Sequence, residues 1–254
     1  MWNHRFPAGL PDGERVPRPI FPFTPIGFIH SCFRQKFGIP RQPGLVPAAR
    51  ATLELLPPYA QPEAVRGLEG FSHLWLLFVF HGVPIGHWQP TVRPPRLGGN
   101  RRLGVFATRS TFRPNPIGLS AVALERIEIS KGRVALHLAG ADVLDGTPVL
   151  DIKPYLPYAD RIVDATGGFA DAVPARLSAV EFNPTAAAFC AAGPHGDLRE
   201  LIAQILRQDP RPAYQQTDSA PRQYGMTLYD CEVRWEVRDG MAYVLEIRPS
   251  ESTG

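Results

Sequence analysis

Apolar residues in the first two thirds of this chain fall in short runs, bounded by Pro, Gly and charged side chains, at the spacing of strands. Phe23 to His30 predicts a first strand. Ala51 to Leu56 alternates weakly and stops at Pro57-Pro58, which predicts a second. Pro62 to Leu68 reads as one or two helical turns, with Pro62 suited to a first helical position. Phe71 to Phe80 is apolar on both faces and predicts a central strand, and Leu103 to Thr108 predicts another. Leu119 to Ile129 and Arg133 to Leu138 flank Ser130-Lys131-Gly132, a hairpin signal, and Thr147 to Ile152 adds a further strand. Six or seven strands with turn-rich connections and almost no helix favour an antiparallel barrel, because closure removes exposed sheet edges.

The pattern changes after residue 155. Residues 156–175, with Pro157, Gly167-Gly168 and Pro174, read as a linker. Beyond it, Thr185 to Ala192 and Asp197 to Gln208 predict helices. In the second, Leu198, Leu201, Ile202, Ile205 and Leu206 make one apolar stripe. Met226 to Val237 and Ala242 to Ile247 predict a closing hairpin around Asp239-Gly240. The expected fold is therefore mainly β. A flexible extension (1–20) precedes an antiparallel β-barrel domain (21–160), and a small α+β domain (175–250) follows.

Composition sharpens this reading at a few points. Proline accounts for 28 of 254 residues, which disfavours a helical bundle because each proline removes a backbone donor. The three cysteines, Cys32, Cys190 and Cys231, are scattered and form no CxxC pair. That argues against a disulfide framework or zinc site and suits reduced thiols in a cytoplasmic protein. No stretch has the apolar length of a membrane span, and residues 1–19 lack the apolar core of a secretory signal. His73, His81 and His87 share no helix face, and no metal is expected there. GxGxxG, the P-loop and GxSxG are all missing, so neither a Rossmann nucleotide site nor a serine hydrolase is supported. A hydrolase using Cys32 or Ser110 has no activating partners in view.

Charge is concentrated in one place. Val92 to Arg113 holds Arg93, Arg96, Arg101, Arg102, Arg109 and Arg113 with no acid among them, although net charge is only +3. Arginine's planar fork matches phosphate oxygens, so this loop suits an RNA backbone; the competing reading pairs it with Asp142, Asp145 and Asp151 downstream. In RPNPIGLS, prolines on both sides hold Asn115 on a stiff loop. In IPRQPG, Arg41 and Gln42 are clamped in the same way. DVLDGTP places Asp142 and Asp145 at a turn with Gly146, just ahead of Asp151 and Lys153. The turn serves either as a ligand contact or as a plain β-turn.

PRQPG, RGLEGFSHLW, RPPRLGG, GVFATRSTFRPNPIGLS and LDGTPVLDIKPYLPY occur here in one order, and DPRPAY follows at Asp209 to Tyr214. This ordered set resembles the TsaA-like family, and within it the bacterial TrmO group of tRNA methyltransferases. The resemblance implies a β-barrel catalytic domain with a smaller C-terminal domain, a homodimer, and S-adenosyl-L-methionine bound without a glycine-rich loop. It also implies methylation at N6 of N6-threonylcarbamoyladenosine at tRNA position 37, with threonine tRNA as substrate. Matching motifs assign cofactor contacts to Pro40, Arg41, Gln42, His81, Gly82, Arg109, Leu119, Asp142, Val143, Leu144, Asp145 and Gly146. The resemblance leads to the expectation of a glutamine after the histidine in some relatives; if it makes a side-chain contact, that contact is lost at Gly82.

Methyl transfer from a sulfonium needs alignment and exclusion of water above all. The delocalised N6 nitrogen must also lose its proton. Asp142, Asp145 and Asp151 are candidate acceptors, Lys153 a candidate grip for the threonyl carboxylate, and Asn115 a further catalytic candidate. The anticodon stem-loop is the expected partner. Arg93, Arg96, Arg101, Arg102, Arg113 and Arg211 are candidate contacts, and Trp88, Phe112 and Tyr155 candidate stacking platforms. The alternative is a non-catalytic cofactor-sensing or RNA-binding module on the same scaffold.

Overall fold

The structure, a computed structural model, describes residues 21–84, 86–212, 215 and 222–250. The expected extension at 1–20 lies outside these residues, as do Ala213 and Tyr214 of the DPRPAY segment.

Alternation of buried and outward residues builds the first unit. β1 (Gly27–Ser31) and β2 (Arg50–Leu55) pair antiparallel, and Ile29 and Leu53 point inward from them. β3 (His73–Val79) buries Leu74, Leu76 and Phe78 on the same interior. β4 (Thr91–Val92) and β5 (Leu103–Gly104) form a separate two-stranded ribbon inside the arginine loop. β6 (Ile117–Ser130) and β7 (Arg133–Ala139) form the hairpin predicted around Ser130-Lys131-Gly132; Lys131 and Gly132 adopt φ 48° and 77° to turn it. β8 (Pro148–Pro154) then pairs with both β3 and β1, closing an antiparallel barrel in the order β1-β2-β7-β6-β3-β8. The mainly β architecture read from the pattern is the one observed. α1 (Pro157–Asp160) is a single turn after β8, braced where Asp160 accepts from the Trp75 indole N–H at 3.0 Å and from Leu156 N at 2.8 Å.

The second unit has a four-stranded sheet with two helices. β9 (Val180–Phe182) leads into α2 (Pro184–Ala192), whose first turn is capped by Asn183 accepting from Ala186 N at 2.7 Å, with Pro184 inside the start. α3 (Leu198–Arg207) buries the predicted stripe. β10 (Gln223–Leu228), β11 (Cys231–Arg238) and β12 (Met241–Pro249) complete the sheet in the order β10-β11-β12-β9, with β9 parallel to β12. Trp235 is fully buried and stacks on Tyr224 with ring centroids 4.8 Å apart.

Two expected strands differ. Leu103 to Thr108 stays extended only to Gly104 and then tightens into a 3-10 turn over Val105–Ala107; the Thr108 hydroxyl donates to the Val105 carbonyl at 2.8 Å. Its partner β4 offers just two residues before Pro94 and Pro95 end the ladder. Met226 to Val237 is two strands, broken at Tyr229 with φ 53°. The amide of Tyr229 donates to the Cys32 carbonyl at 2.8 Å, a contact 197 positions away in sequence that no local pattern displays. No helix among the described residues is long and apolar enough to cross a membrane.

Candidate functional site

Four segments meet at one rim of the barrel and enclose a cleft of about 540 Å³, within the range of small-molecule sites. The IPRQPG loop, between β1 and β2, supplies Pro40, Arg41, Gln42 and Pro43. Gly38 and Gly44, at φ 94° and 74°, turn its two ends, and Gly44 N donates to the Gly140 carbonyl at 2.9 Å. The end of β3 and the residues after it supply Phe78, Val79, Phe80, His81, Gly82 and Val83. RSTFRPNPIGLS supplies Arg109, Thr111, Arg113 and Ile117 to Ser120, and the turn after β7 supplies Asp142, Val143 and Leu144.

Polar side chains lock these loops together. Arg109 donates to Gln42 Oε1 across the cleft. Arg113 donates from Nη1 to the Thr108 carbonyl at 2.7 Å and stands over the Phe106 ring, 5.6 Å from its centroid. Lys36 Nζ donates to the Gly82 carbonyl at 2.6 Å, and its Cε lies 2.9 Å from where a Cβ on Gly82 would stand. Lys36 thus fills the space a side chain at position 82 would take. Ser120 donates its hydroxyl to Asp142 Oδ1 at 2.6 Å. Burial pushes the Asp142 carboxyl up to about 6; the Ser120 bond, its own backbone amide and the nearby Arg109 charge offset part of that. His81 Nδ1 lies 3.5 Å from the Thr147 hydroxyl, which donates to the Leu144 carbonyl at 2.6 Å.

Of the twelve cofactor contacts assigned from the motifs, ten line this cleft: Pro40, Arg41, Gln42, His81, Gly82, Arg109, Leu119, Asp142, Val143 and Leu144. The other two stand behind it. Asp145 accepts from Ser31 N at 2.9 Å and pairs with Arg34, and Gly146, at φ 75°, donates to the Ile29 carbonyl at 2.8 Å. They brace the turn that presents Asp142. The remaining catalytic candidates also lie outside the cleft lining. Asn115 is exposed, and its carbonyl accepts from Ile117 N at 2.7 Å. Asp151 and Lys153 pair at 2.8 Å on the outward side of β8, where Lys153 is directly opposite Trp75 of β3 in register. Trp75 itself lines the cleft and packs on Tyr155 at 5.6 Å, with the rings tilted 45°.

Two of the three downstream acids do not neutralise the arginine loop, because Asp145 is paired with Arg34 and Asp151 with Lys153, while Asp142 feels the charge of Arg109. Arg93, Arg101 and Arg102 are exposed and Arg96 is half-buried; Arg102 donates to the Thr91 hydroxyl at 3.0 Å. Trp88 and Phe112 are exposed, while Tyr155 is half-buried. Arg211 departs from its expected role as an RNA contact. It is buried, and its Nε and Nη2 meet Asp209 at 2.8 and 2.9 Å, so its guanidinium is committed to an internal pair. Cys32 is buried too, and burial pushes its thiol up to about 12, which argues against Cys32 as a nucleophile.

Sequence reasoning missed Lys36, Trp75 and Ser120 as cleft residues. Ser120 sits inside a segment already singled out and faces inward in the strand alternation, so its signal was present. Lys36 sits in a stretch with no motif of its own.

Residues 28–161 match the family described as tRNA-methyltransferase O N-terminal domain, and residues 174–250 match the TrmO C-terminal domain. A tRNA (adenine(37)-N6)-methyltransferase of Escherichia coli is 50% identical over 231 residues, covering 90% of this chain and 98% of the relative. A putative S-adenosylmethionine-dependent methyltransferase, RcsF, of Pseudomonas aeruginosa is 54% identical over 230 residues, covering 88% and 96%. The crystal structure of TrmO from Pseudomonas aeruginosa superposes with a TM-score of 0.74 at 47% identity, covering 91% of this chain and 99% of that one.

Proposed function

The chain belongs to the tRNA-methyltransferase O family, and from that premise we propose that its rim cleft holds S-adenosylmethionine while N6-threonylcarbamoyladenosine at tRNA position 37 receives the methyl group. Family membership makes it an S-adenosylmethionine-dependent tRNA (adenine(37)-N6)-methyltransferase. The threonylcarbamoyl group, and threonine tRNA as its carrier, are the finer part of the proposal.

One observation carries it: contacts scattered from Pro40 to Leu144 in sequence converge on a single cleft of suitable size. The donor set fits the cofactor. Phe80, Val83, Ile117 and Leu119 offer apolar walls to a purine, Arg109 offers a fork to a carboxylate, and Asp142 offers a carboxylate to cationic groups. S-adenosylmethionine supplies a methyl group already activated on a positive sulfur.

The protein's own contribution is then order and proton removal. The Arg109–Gln42 bond closes the cleft from two sides, and the stiff prolines on each loop hold that closure with little entropy left to lose. Asp142, displaced upward to about 6 and held by Ser120, is a base matched to neutral pH, and we assign it the N6 proton. Asp145, engaged by Ser31 and Arg34, serves to hold the turn. Lys153, exposed on the same outward face as Trp75, is placed to meet the threonyl carboxylate, and the exposed arginines of residues 92–113 to meet anticodon-stem phosphates. A homodimer acting in the cytoplasm completes the proposal, on the strength of the family resemblance and the absence of a spanning helix among the described residues.

Transfer of labelled methyl from S-adenosylmethionine to tRNA with and without the threonylcarbamoyl group tests the reading. Labelling of the modified tRNA alone supports it. Binding of cofactor with no label on either RNA would leave a sensing module instead.

A further inference from the structure

The cofactor loop does not belong to the barrel's core. Cys32, Phe33, Val46, Ala48 and Ala49, which bracket it, are buried in the cluster formed by α3 and the C-terminal sheet. Phe37 packs there as well, its ring stacked on Trp235 with centroids 6.5 Å apart, and Gly38 faces Met226. Ile39 belongs to both places, lining the cleft and packing against the C-terminal core. Polar ties from the C-terminal unit run along the same segment. Gln204 Oε1 accepts from Ala48 N at 2.8 Å, Gln208 Nε2 donates to the Leu45 carbonyl at 3.2 Å, and the Arg211 carbonyl accepts from Arg41 Nη2 at 3.4 Å. Phe33 also bridges to Leu228 at the end of β10. Between its ends, the loop's backbone tie to the barrel side is the Gly44–Gly140 bond.

We propose that the C-terminal unit is the scaffold of the cofactor loop, with Gln204 and Gln208 of the α3 end as positioning residues for Pro40, Arg41 and Gln42. This rests on the reading of the cleft as the S-adenosylmethionine site. The physical reason is preorganisation. A loop with few barrel contacts pays ordering entropy when it closes on a ligand, unless another surface has already ordered it. α3 supplies that surface through side-chain amides aimed at loop backbone groups, which have few other partners.

The two amides act with opposite polarity, which makes the test specific. Gln204→Met removes an acceptor and Gln208→Met removes a donor. In the full-length chain, each is expected to weaken S-adenosylmethionine binding by about tenfold in calorimetry, the size of one backbone-directed bond. The KM for the cofactor should rise in parallel while kcat at saturating cofactor stays within about twofold, because bound ligand restores loop order. Gln204 also donates to Glu200 Oε1 at 2.8 Å, so the exchanged pair Glu200→Gln/Gln204→Glu keeps the acceptor toward Ala48 and should recover the native affinity. If wild-type protein takes up no S-adenosylmethionine, the cleft reading itself fails. If wild type binds and both Met variants bind equally well, or lose kcat and melting temperature with an unchanged Kd, the positioning role is overturned. Gln208, half-buried at the helix end, carries the test alone if the Gln204 variant does not fold.

Discussion

Ser120 donates its hydroxyl to Asp142 over 2.6 Å, joining β6 to the turn after β7 at the floor of the cleft. The pairing gives a buried carboxyl one strong partner while burial still holds its ionisation up to about 6. Two pH effects follow with different signs. As the proposed proton acceptor, Asp142 must be charged, so kcat/KM should climb with unit slope to about pH 6 and level off above it. Asp142→Asn should lose that limb together with about 10²–10⁴ of rate. Stability runs the other way. A carboxyl whose folded value lies above its unfolded value stabilises the fold while protonated and loses that contribution as pH rises from about 4 to 6. Asp142→Asn should therefore gain on wild type above pH 6, by about 3 kcal/mol, and the difference should vanish near pH 4. Urea unfolding at pH 4 and 8 checks this.

Three glycines separate flexible from rigid obstruction. A Cβ at Gly27 would lie 2.3 Å from the Glu54 carbonyl oxygen, and one at Gly118 would lie 2.3 Å from the Phe78 ring. At Gly82 it would meet only the tail of Lys36, at 2.9 Å. Gly27→Ala and Gly118→Ala should each cost about 1–3 kcal/mol, the usual penalty of overpacking. Gly82→Ala should melt within a degree or two of wild type, yet bind S-adenosylmethionine more weakly, because Lys36 leaves the Gly82 carbonyl. Thermal melts should place Gly27→Ala and Gly118→Ala well below Gly82→Ala.

The exposed arginines predict an electrostatic signature. Arg101→Ala/Arg102→Ala should bind tRNA more weakly, with a log K against log salt slope shallower by about 1.4, taking roughly 0.7 per phosphate contact on single strands. Filter binding from 50 to 200 mM salt reads this directly, and an unaltered slope would take the loop out of the interface.

Arg211 should behave differently despite its equal charge. Its two-point contact with Asp209 is buried, and losing one side of a buried ion pair is costly, so Arg211→Ala should destabilise by about 3–5 kcal/mol. The salt slope of the folded fraction should stay the same. A destabilised variant with unchanged slope, seen by denaturant titration and filter binding, supports the internal role.

Much of this was legible from local pattern. The hairpin at Ser130-Lys131-Gly132, the turn at Asp239-Gly240 and the stripe on α3 are short-range signals, set by glycine's freedom at positive φ and by helical period. Paired prolines around Arg41, Gln42 and Asn115 marked stiff loops whatever surrounds them, and of these Arg41 and Gln42 line the cleft while Asn115 does not. The break at Tyr229 shows in the sequence only as a change of phase, with Met226 and Leu228 buried before it and Cys231, Val233 and Trp235 after it, because Tyr229-Asp230 carries neither the glycine nor the proline that marks the other turns.

By itself, then, the chain's order of apolar and polar residues determined a strand-built barrel followed by a helix-bearing sheet, and its motifs marked most of the loops that line the cleft. Only the tertiary structure decided the division of labour between near-identical side chains. Asp142 faces the cleft and Asp145 braces the turn behind it; Arg109 crosses the cleft and Arg211 is sealed inside. The reason is that residue type and spacing specify what a group can do, whereas its solvation and its partners specify what it does: Asp145 meets Ser31 and Arg34 from more than a hundred residues away and Arg109 meets Gln42 across the cleft, while Asp142 and Arg211 are set apart by burial and by nearer partners.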